Sequence, residues 1–346
     1  MNTWRTCLFR LFVLAIAVMT MVGCSESKET RLQRFLLQGN DQFRKGNYPQ
    51  AVAYYEAAVH LDSCFADAWN NLGTVFHKQQ HYDKALDSYD HAIECRPRYI
   101  DAYLNRANTY YELKQFYAAL NDLDKVQAVK PDTLVAHFLR GLVYTQMRRY
   151  SEALASFDRA LQLDPDNAEV IINCGTVHYY RGDLDSARIL LERAMQMDSK
   201  EANIYNTLAL LETRLANYDK AMQFIEQAIE LRPRDAYFLN NRGYILLMMG
   251  KTDKAINDID ASIVRDPYNA WAYRNKGIYL LRKGDTPGAI RLLTRALEMS
   301  DFIEQGHYYL ALAYKENNER EKACQEFARA LEMKEISERE YNANCK

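Results

Sequence analysis

The stretch Ala66–Tyr99, ADAWNNLGTVFHKQQHYDKALDSYDHAIECRPRY, decides the reading of this 346-residue chain, because the same unit returns along almost its whole length. Numbered 1 to 34, it places Trp69, Leu72, Gly73 and Phe76 at positions 4, 7, 8 and 11, which share one face of a helix. Ala85, Tyr89 and Ala92 at positions 20, 24 and 27 form a matching stripe on a second helix, which Pro97 at position 32 closes. The spacing predicts a helix A followed by a helix B. Each carries an apolar face that one unit alone cannot bury.

An ungapped 34-residue frame starting at Leu32 holds nine times and ends at Ser337, covering 306 residues. Position 20 is alanine in all nine units: Ala51, Ala85, Ala119, Ala153, Ala187, Ala221, Ala255, Ala289 and Ala323. Position 8 is glycine or alanine throughout, and position 27 is alanine except at Val126 and Ser262. Small side chains in register let two helices approach closely. The pattern resembles the tetratricopeptide repeat, whose period is 34 residues. That resemblance implies an all-α, right-handed solenoid of nine two-helix repeats over residues 32–337.

Punctuation agrees with the frame. Gly46, Gly182, Gly250 and Gly284 sit at position 15, where the end of helix A can require a positive φ. Asp83, Asp185, Asp219, Asp253 and Ser151 at position 18 are placed to cap helix B, and Pro49 and Pro287 share that position. Pro97, Pro131, Pro165, Pro233 and Pro267 at position 32 stop helix B. After Met333, Ser337 and Glu340 have capping-box spacing, which predicts a short polar closing helix in the tail 338–346.

The first residues follow a different logic. Arg5 and Arg10 precede an apolar run of 12 residues, Leu11–Val22, and then Gly23-Cys24. That run is well short of the roughly 20 residues that span a bilayer, and it reads as a signal peptide over residues 1–23. Met21-Val22-Gly23-Cys24 resembles the lipobox of bacterial lipoproteins, with Met21 where such boxes usually carry Leu. The resemblance implies lipidation of Cys24 and a tether over residues 24–31. Residues 25–31, extended, reach at most about 25 Å, so the first repeat is expected close to the membrane. Ser25 after the cysteine resembles lipoproteins sent to the outer membrane, with the domain facing the periplasm or the cell surface.

Without residues 1–23 the formal charge is −4, against −2 for the full chain, and no basic tract is present. Nucleic acid is therefore not an expected partner. Of seven cysteines, Cys7 leaves with the signal and Cys24 takes lipid, leaving Cys64, Cys95, Cys174, Cys324 and Cys345. No CxxC or CxxH spacing supports a zinc or redox site. Cys95 and Cys174 read as buried thiols, with a Cys64–Cys95 disulfide as the alternative in an oxidising compartment.

No HExxH, GxSxG, GxxxxGK[ST] or GxGxxG is present, so no enzyme, cofactor or metal is expected. His77 and His81 have i, i+4 spacing, but the frame puts His81 in the turn between helices. The functional surface implied by the family is the concave face, lined by helix A positions 2, 5, 6, 9, 12 and 13. Position 6 holds Asn71, Asn105, Asn173, Asn241 and Asn275, which resembles the asparagine ladder of the O-linked N-acetylglucosamine transferase repeat domain. A carboxamide can pair with both groups of a peptide unit; the other reading is that these asparagines bond neighbouring backbone. The chaperone-type carboxylate clamp fails, because position 2 is nowhere basic.

Repeats 7 and 8 add an apolar patch of Tyr237, Tyr244, Leu247, Met248, Trp271, Ile278 and Leu281 at groove positions. Such a patch marks a contact site, unless the closing helix or a second protomer, as in a homodimer, fills the groove. The chain reads as a non-enzymatic envelope scaffold that binds an envelope protein or peptide segment. It is similar in kind to outer-membrane repeat lipoproteins that pilot secretins, aid barrel assembly or recruit murein hydrolases. The alternative is an accessory subunit presenting protein or glycan substrate to a separate envelope enzyme.

Overall fold

The computed structural model describes residues 26–300 and 302–346. The expected signal peptide 1–23, the expected lipidation site Cys24 and Ser25 of the expected tether lie outside the described residues. Among the described residues there are nineteen helices and no strand. They are α1 (Lys28–Arg44), α2 (Tyr48–Leu61), α3 (Ala66–Lys78), α4 (Tyr82–Cys95), α5 (Ile100–Glu112), α6 (Phe116–Val129), α7 (Leu134–Gln146) and α8 (Tyr150–Leu163). Then follow α9 (Ala168–Arg181), α10 (Leu184–Met197), α11 (Ala202–Arg214), α12 (Tyr218–Leu231), α13 (Ala236–Met248), α14 (Thr252–Arg265) and α15 (Ala270–Lys283). The last are α16 (Thr286–Met299), α17 (Gly306–Glu316), α18 (Arg320–Glu332) and α19 (Glu338–Cys345).

The 34-residue frame is visible in the packing. Every position-20 alanine is at most 2% exposed, and position 27 is fully buried in all nine repeats. Positions 8 and 24 of one repeat meet where its helices cross. A Cβ built on Gly73 would lie 2.5 Å from the Tyr89 ring, so this helix pair can close only on glycine. In repeat 3 position 8 is Ala107, and the side chain opposite is the smaller Leu123.

The turn from A to B is the same throughout. All nine residues at position 15 have positive φ, including the non-glycines Gln80, Lys114, Arg148, Ala216 and Asn318. The glycine signal seen in four repeats therefore understates a conformation that all share. The predicted caps are shifted by two residues. Helix B has its N-cap at position 16, where Asp183 and Asp285 accept from the backbone amides of Ser186 and Gly288. Asp83, Asp185, Asp219 and Asp253 lie instead within the first turn, where a carboxylate favours the helix dipole.

The N-terminal end differs from expectation. Ser27 caps α1 by accepting from the Thr30 amide, so residues 28–31 are helical rather than extended tether. Four residues in a helix rise only about 6 Å, less than half of their extended reach. At the other end Ser337 and Glu340 form a reciprocal capping box and start α19. Ile336, Tyr341 and Cys345 cover the apolar face of α18.

Cys64–Cys95 and Cys324–Cys345 are disulfides, and Cys174 is buried and belongs to neither. The buried-thiol expectation thus fails for Cys95. Its Cα lies 5.2 Å from that of Cys64, because the ends of α2 and α4 are brought together one repeat apart.

The chain divides into two compact units, the first ending at Asp164 and the second running from Pro165 to Lys346. The first holds four helix pairs. The second holds five pairs and α19. Within each, successive pairs stack as a solenoid, in which a repeat contacts only its neighbours.

Candidate functional site

A cavity of about 500 Å³ opens in the second unit, lined by helix A residues of repeats 5 to 9 and by the turn before α17. Its wall is aromatic and amide-rich: Tyr179, Tyr180, Tyr237, Phe238, Tyr244, Trp271 and Tyr309, with Asn203, Asn206 and Asn241. All of these rings but Phe238, at position 3, arrive here because positions 2, 5, 6, 9, 12 and 13 of helix A recur on one face. Stacked repeats align those faces.

Two arginines sit among the rings. Arg274, only 4% exposed, lies 4.6 Å from the Tyr244 ring centre and 4.9 Å from that of Trp271. Its Nε and one terminal nitrogen donate to Asn275 Oδ1 at 3.0 and 2.7 Å, while the other donates to the Glu304 carbonyl at 2.6 Å. Arg214 stacks on Tyr179 at 4.9 Å, donates to the Tyr179 carbonyl at 2.9 Å, and pairs with the Glu304 carboxylate. Burial opposes the charge of Arg214, but Glu304 and Tyr179 outweigh it and hold the guanidinium above its ordinary range. Burial, reinforced by Glu304, likewise pushes the Tyr179 phenol up, and Tyr309 is pushed up to about 12 by burial first. These rings stay neutral at physiological pH and act as flat apolar surfaces with a hydroxyl at the rim.

The asparagine series has partners inside the protein. Asn71 donates to Asn40 Oδ1 at 2.9 Å, Asn105 to Asn70 at 3.0 Å, Asn241 to Asn206 at 2.8 Å and Asn275 to Asn240 at 2.7 Å. Each bond joins helix A of one repeat to helix A of the preceding one. Asn173 donates instead to the Glu169 carbonyl in its own helix and lines a smaller cavity of about 220 Å³ beside the main one. Asn275 is fully buried, so it cannot touch a partner and is corrected to a structural role.

Of the apolar patch, Tyr237, Tyr244, Met248 and Trp271 line the cavity, and Tyr237 is half exposed. Leu247 and Ile278 do not. Both are buried in the cluster of α13, α14 and α15, against which Tyr309 of repeat 9 packs. Leu281 packs toward Ala289, Leu293 and Leu310. His77 is bound to Thr109 Oγ1 at 2.9 Å and Asn108 at 3.4 Å in the next repeat. The closing helix lies on α18, and the groove meets the turn Phe302–Gln305 instead.

Sequence reasoning missed Arg214, Arg274, Glu304 and Gln305. The two arginines occupy positions 13 and 5, both in the groove set, and were legible there as charges among rings. Glu304 and Gln305 occupy positions 1 and 2, which the frame assigns to helix A. No spacing signal reveals that α17 starts two residues late.

A model described as the cilia and flagella-associated protein 70 C-terminal domain matches residues 14–239, and tetratricopeptide repeat models match residues 224–257 and 274–337. The chain belongs to the tetratricopeptide repeat family. No curated protein matches it. Among solved structures, this repeat protein is similar to pilF of Pseudomonas aeruginosa at 21% identity and a TM-score of 0.54, covering 61% of this chain and 96% of that one. It is also similar to a chain of the APC/C hetero-tetramer Cut9–Hcn1 at 17% identity and a TM-score of 0.63, covering 92% of this chain and 63% of that one. At these identities the likeness is one of fold.

Proposed function

We propose that this repeat protein is a non-enzymatic scaffold of the bacterial envelope, anchored by lipid at Cys24, that holds an extended segment of a partner protein in the groove of its second unit. Repeat folds of this family serve protein–protein interaction, and the aromatic groove is the single observation that carries the reading here. Tyr and Trp are frequent anchors of protein interfaces, since they bury large area with few rotatable bonds. A groove of about 500 Å³ that sets aromatic faces beside convergent arginine and carboxamide donors has the concave form of binding sites. Two disulfides support an oxidising compartment, where such bonds persist.

In-cell photo-crosslinking from Tyr237 tests the groove, with the exposed Ile189 on α10 as the comparison. Crosslinks to one envelope protein from Tyr237 alone are the expected result. Equal crosslinking from both positions, or to this protein only, would count against a partner-holding groove. For the anchor, Cys24→Ala is expected to release the protein from the membrane fraction, and retention at the normal mature size would refute lipidation.

A further inference from the structure

The turn before α17 departs from every other repeat in the second unit. In repeats 5 to 8 helix A begins at position 1 of the frame, at Ala168, Ala202, Ala236 and Ala270. In repeat 9 it begins at position 3, Gly306. Glu304 and Gln305 are thereby freed from the helix, with Gln305 at φ +58° in the left-handed region, which a non-glycine residue adopts only at a cost.

What that conformation gains is contact with the groove. The Glu304 carboxylate pairs with Arg214, ninety residues earlier in the chain. Its carbonyl accepts from Arg274 at 2.6 Å, and the Gln305 side chain accepts from the Tyr244 hydroxyl at 3.2 Å. Ile303, 1% exposed, anchors the turn. A carboxylate, a main-chain carbonyl and a carboxamide, presented together on one turn, are the groups a bound peptide would offer.

We infer that Glu304 is a built-in ligand mimic, and that the groove takes an extended peptide whose acidic side chain displaces Glu304 from Arg214. This rests on the groove reading above and specifies its partner by charge. Arg214 and Arg274 face the cavity, and the lining acids are Glu304 and Asp235. Asp235 uses an oxygen to cap α13, accepting from the Tyr237 and Phe238 amides. With Glu304 withdrawn, the cradle carries excess positive charge between aromatic faces, which selects a carboxylate. Withdrawal is cheap. The Arg214 and Glu304 side chains are 33% and 42% exposed, and ion pairs as open as this contribute little. The tether makes Glu304 a competitor at millimolar effective concentration, so an incoming peptide needs further contacts in the open cavity, which the rings supply.

The test uses the full chain and a labelled peptide copying Phe302–Tyr308, titrated to several millimolar against native protein and Glu304→Gln. Binding to Glu304→Gln is expected to be at least tenfold tighter than to native protein. It should be lost when the peptide glutamate is changed to glutamine, and lost again in the double variant with Arg214→Gln. Hydrogen exchange of the Gln305 and Gly306 amides should quicken in Glu304→Gln while the helical circular dichroism is unchanged. Equal binding to native and variant, no binding to either, or indifference to Arg214 would overturn the inference. Tyr244→Phe, which deletes one hydroxyl, guards against misfolding of the charge variants and should release the turn partially; an unchanged exchange rate there would also count against it. A Tyr237 crosslink to a partner segment with no acidic residue would sink the ligand mimic while leaving the groove reading standing.

Discussion

Glu212 shows how much one side chain can depend on its setting. It occupies position 11 of repeat 6, where Phe76, Tyr110 and Tyr144 stand in other repeats, and it is fully buried. Arg188 at 2.6 Å, Lys220 at 2.8 Å and Asn217 at 2.9 Å all donate to its carboxylate. Burial alone would raise its pKa, but these three partners prevail and hold it at about 2. The folded value lies below the unfolded one near 4.5, so the carboxylate contributes stability above pH 4.5 that is lost as pH falls toward 2. A shift of this size corresponds to roughly 3 kcal/mol. Chemical denaturation at pH 7 and pH 3 should show about 2 kcal/mol of that loss, and Glu212→Gln should flatten it. Gly73 makes a second case. Gly73→Ala would drive a Cβ to 2.5 Å from the Tyr89 ring and is expected to cost about 1–3 kcal/mol. Adding Tyr89→Leu should recover much of it, because repeat 3 already combines Ala107 with Leu123. Thermal unfolding of the two variants checks both statements.

At the scale of helices, the repeats are joined by polar devices that the apolar stripe conceals. Position 7 is charged in several repeats, and its cation reaches an acid at position 25 of the preceding repeat: Arg106 to Asp90, Arg140 to Asp124 and Lys276 to Asp260. Arg106 also grips Asp122 of its own repeat through two bonds of 2.8 and 2.7 Å. Burial lifts the Asp122 carboxyl above its usual range in spite of Arg106. Arg106→Leu would strand this acid, which is 1% exposed, and should destabilise the first unit by about 3–5 kcal/mol. Arg106→Leu with Asp122→Leu should be far less damaging, since two apolar groups leave no orphaned charge. Urea unfolding of the single and double variants decides it. The asparagines belong to the same scale: four of five spend their carboxamides between neighbouring A helices, which is why an asparagine ladder in sequence did not become an open peptide grip.

For the whole molecule, the free ends of the repeat array matter most, because a terminal repeat has only one neighbour to cover it. The second unit closes with α19, which is held to α18 by the Cys324–Cys345 bridge as well as by Ile336 and Tyr341. Closing a loop of 21 residues is worth about 3 kcal/mol in the chain-entropy account. Cys345→Ser should therefore speed amide exchange in α18 and α19 severalfold while leaving α1 to α4 unchanged, as followed by hydrogen-exchange mass spectrometry.

The sequence by itself determined the nine helix pairs, because the 34-residue period, the small residues at positions 8, 20 and 27 and the turn at position 15 are local requirements met within one or two repeats. It also located part of the groove, in Tyr237, Tyr244, Met248, Trp271 and Asn241. Only the tertiary structure decided which other groove positions remain open. Ile278 shares position 9 with Tyr244, and Leu247 shares position 12 with Tyr179, yet both are buried in a cluster against which Tyr309 of repeat 9 packs. The cysteine pairings, the Arg214–Glu304 pair and the late start of α17 likewise depend on residues 21 to 90 positions apart. Periodicity reports which face of a helix a residue occupies, whereas what lies against that face is set by chain returning from elsewhere.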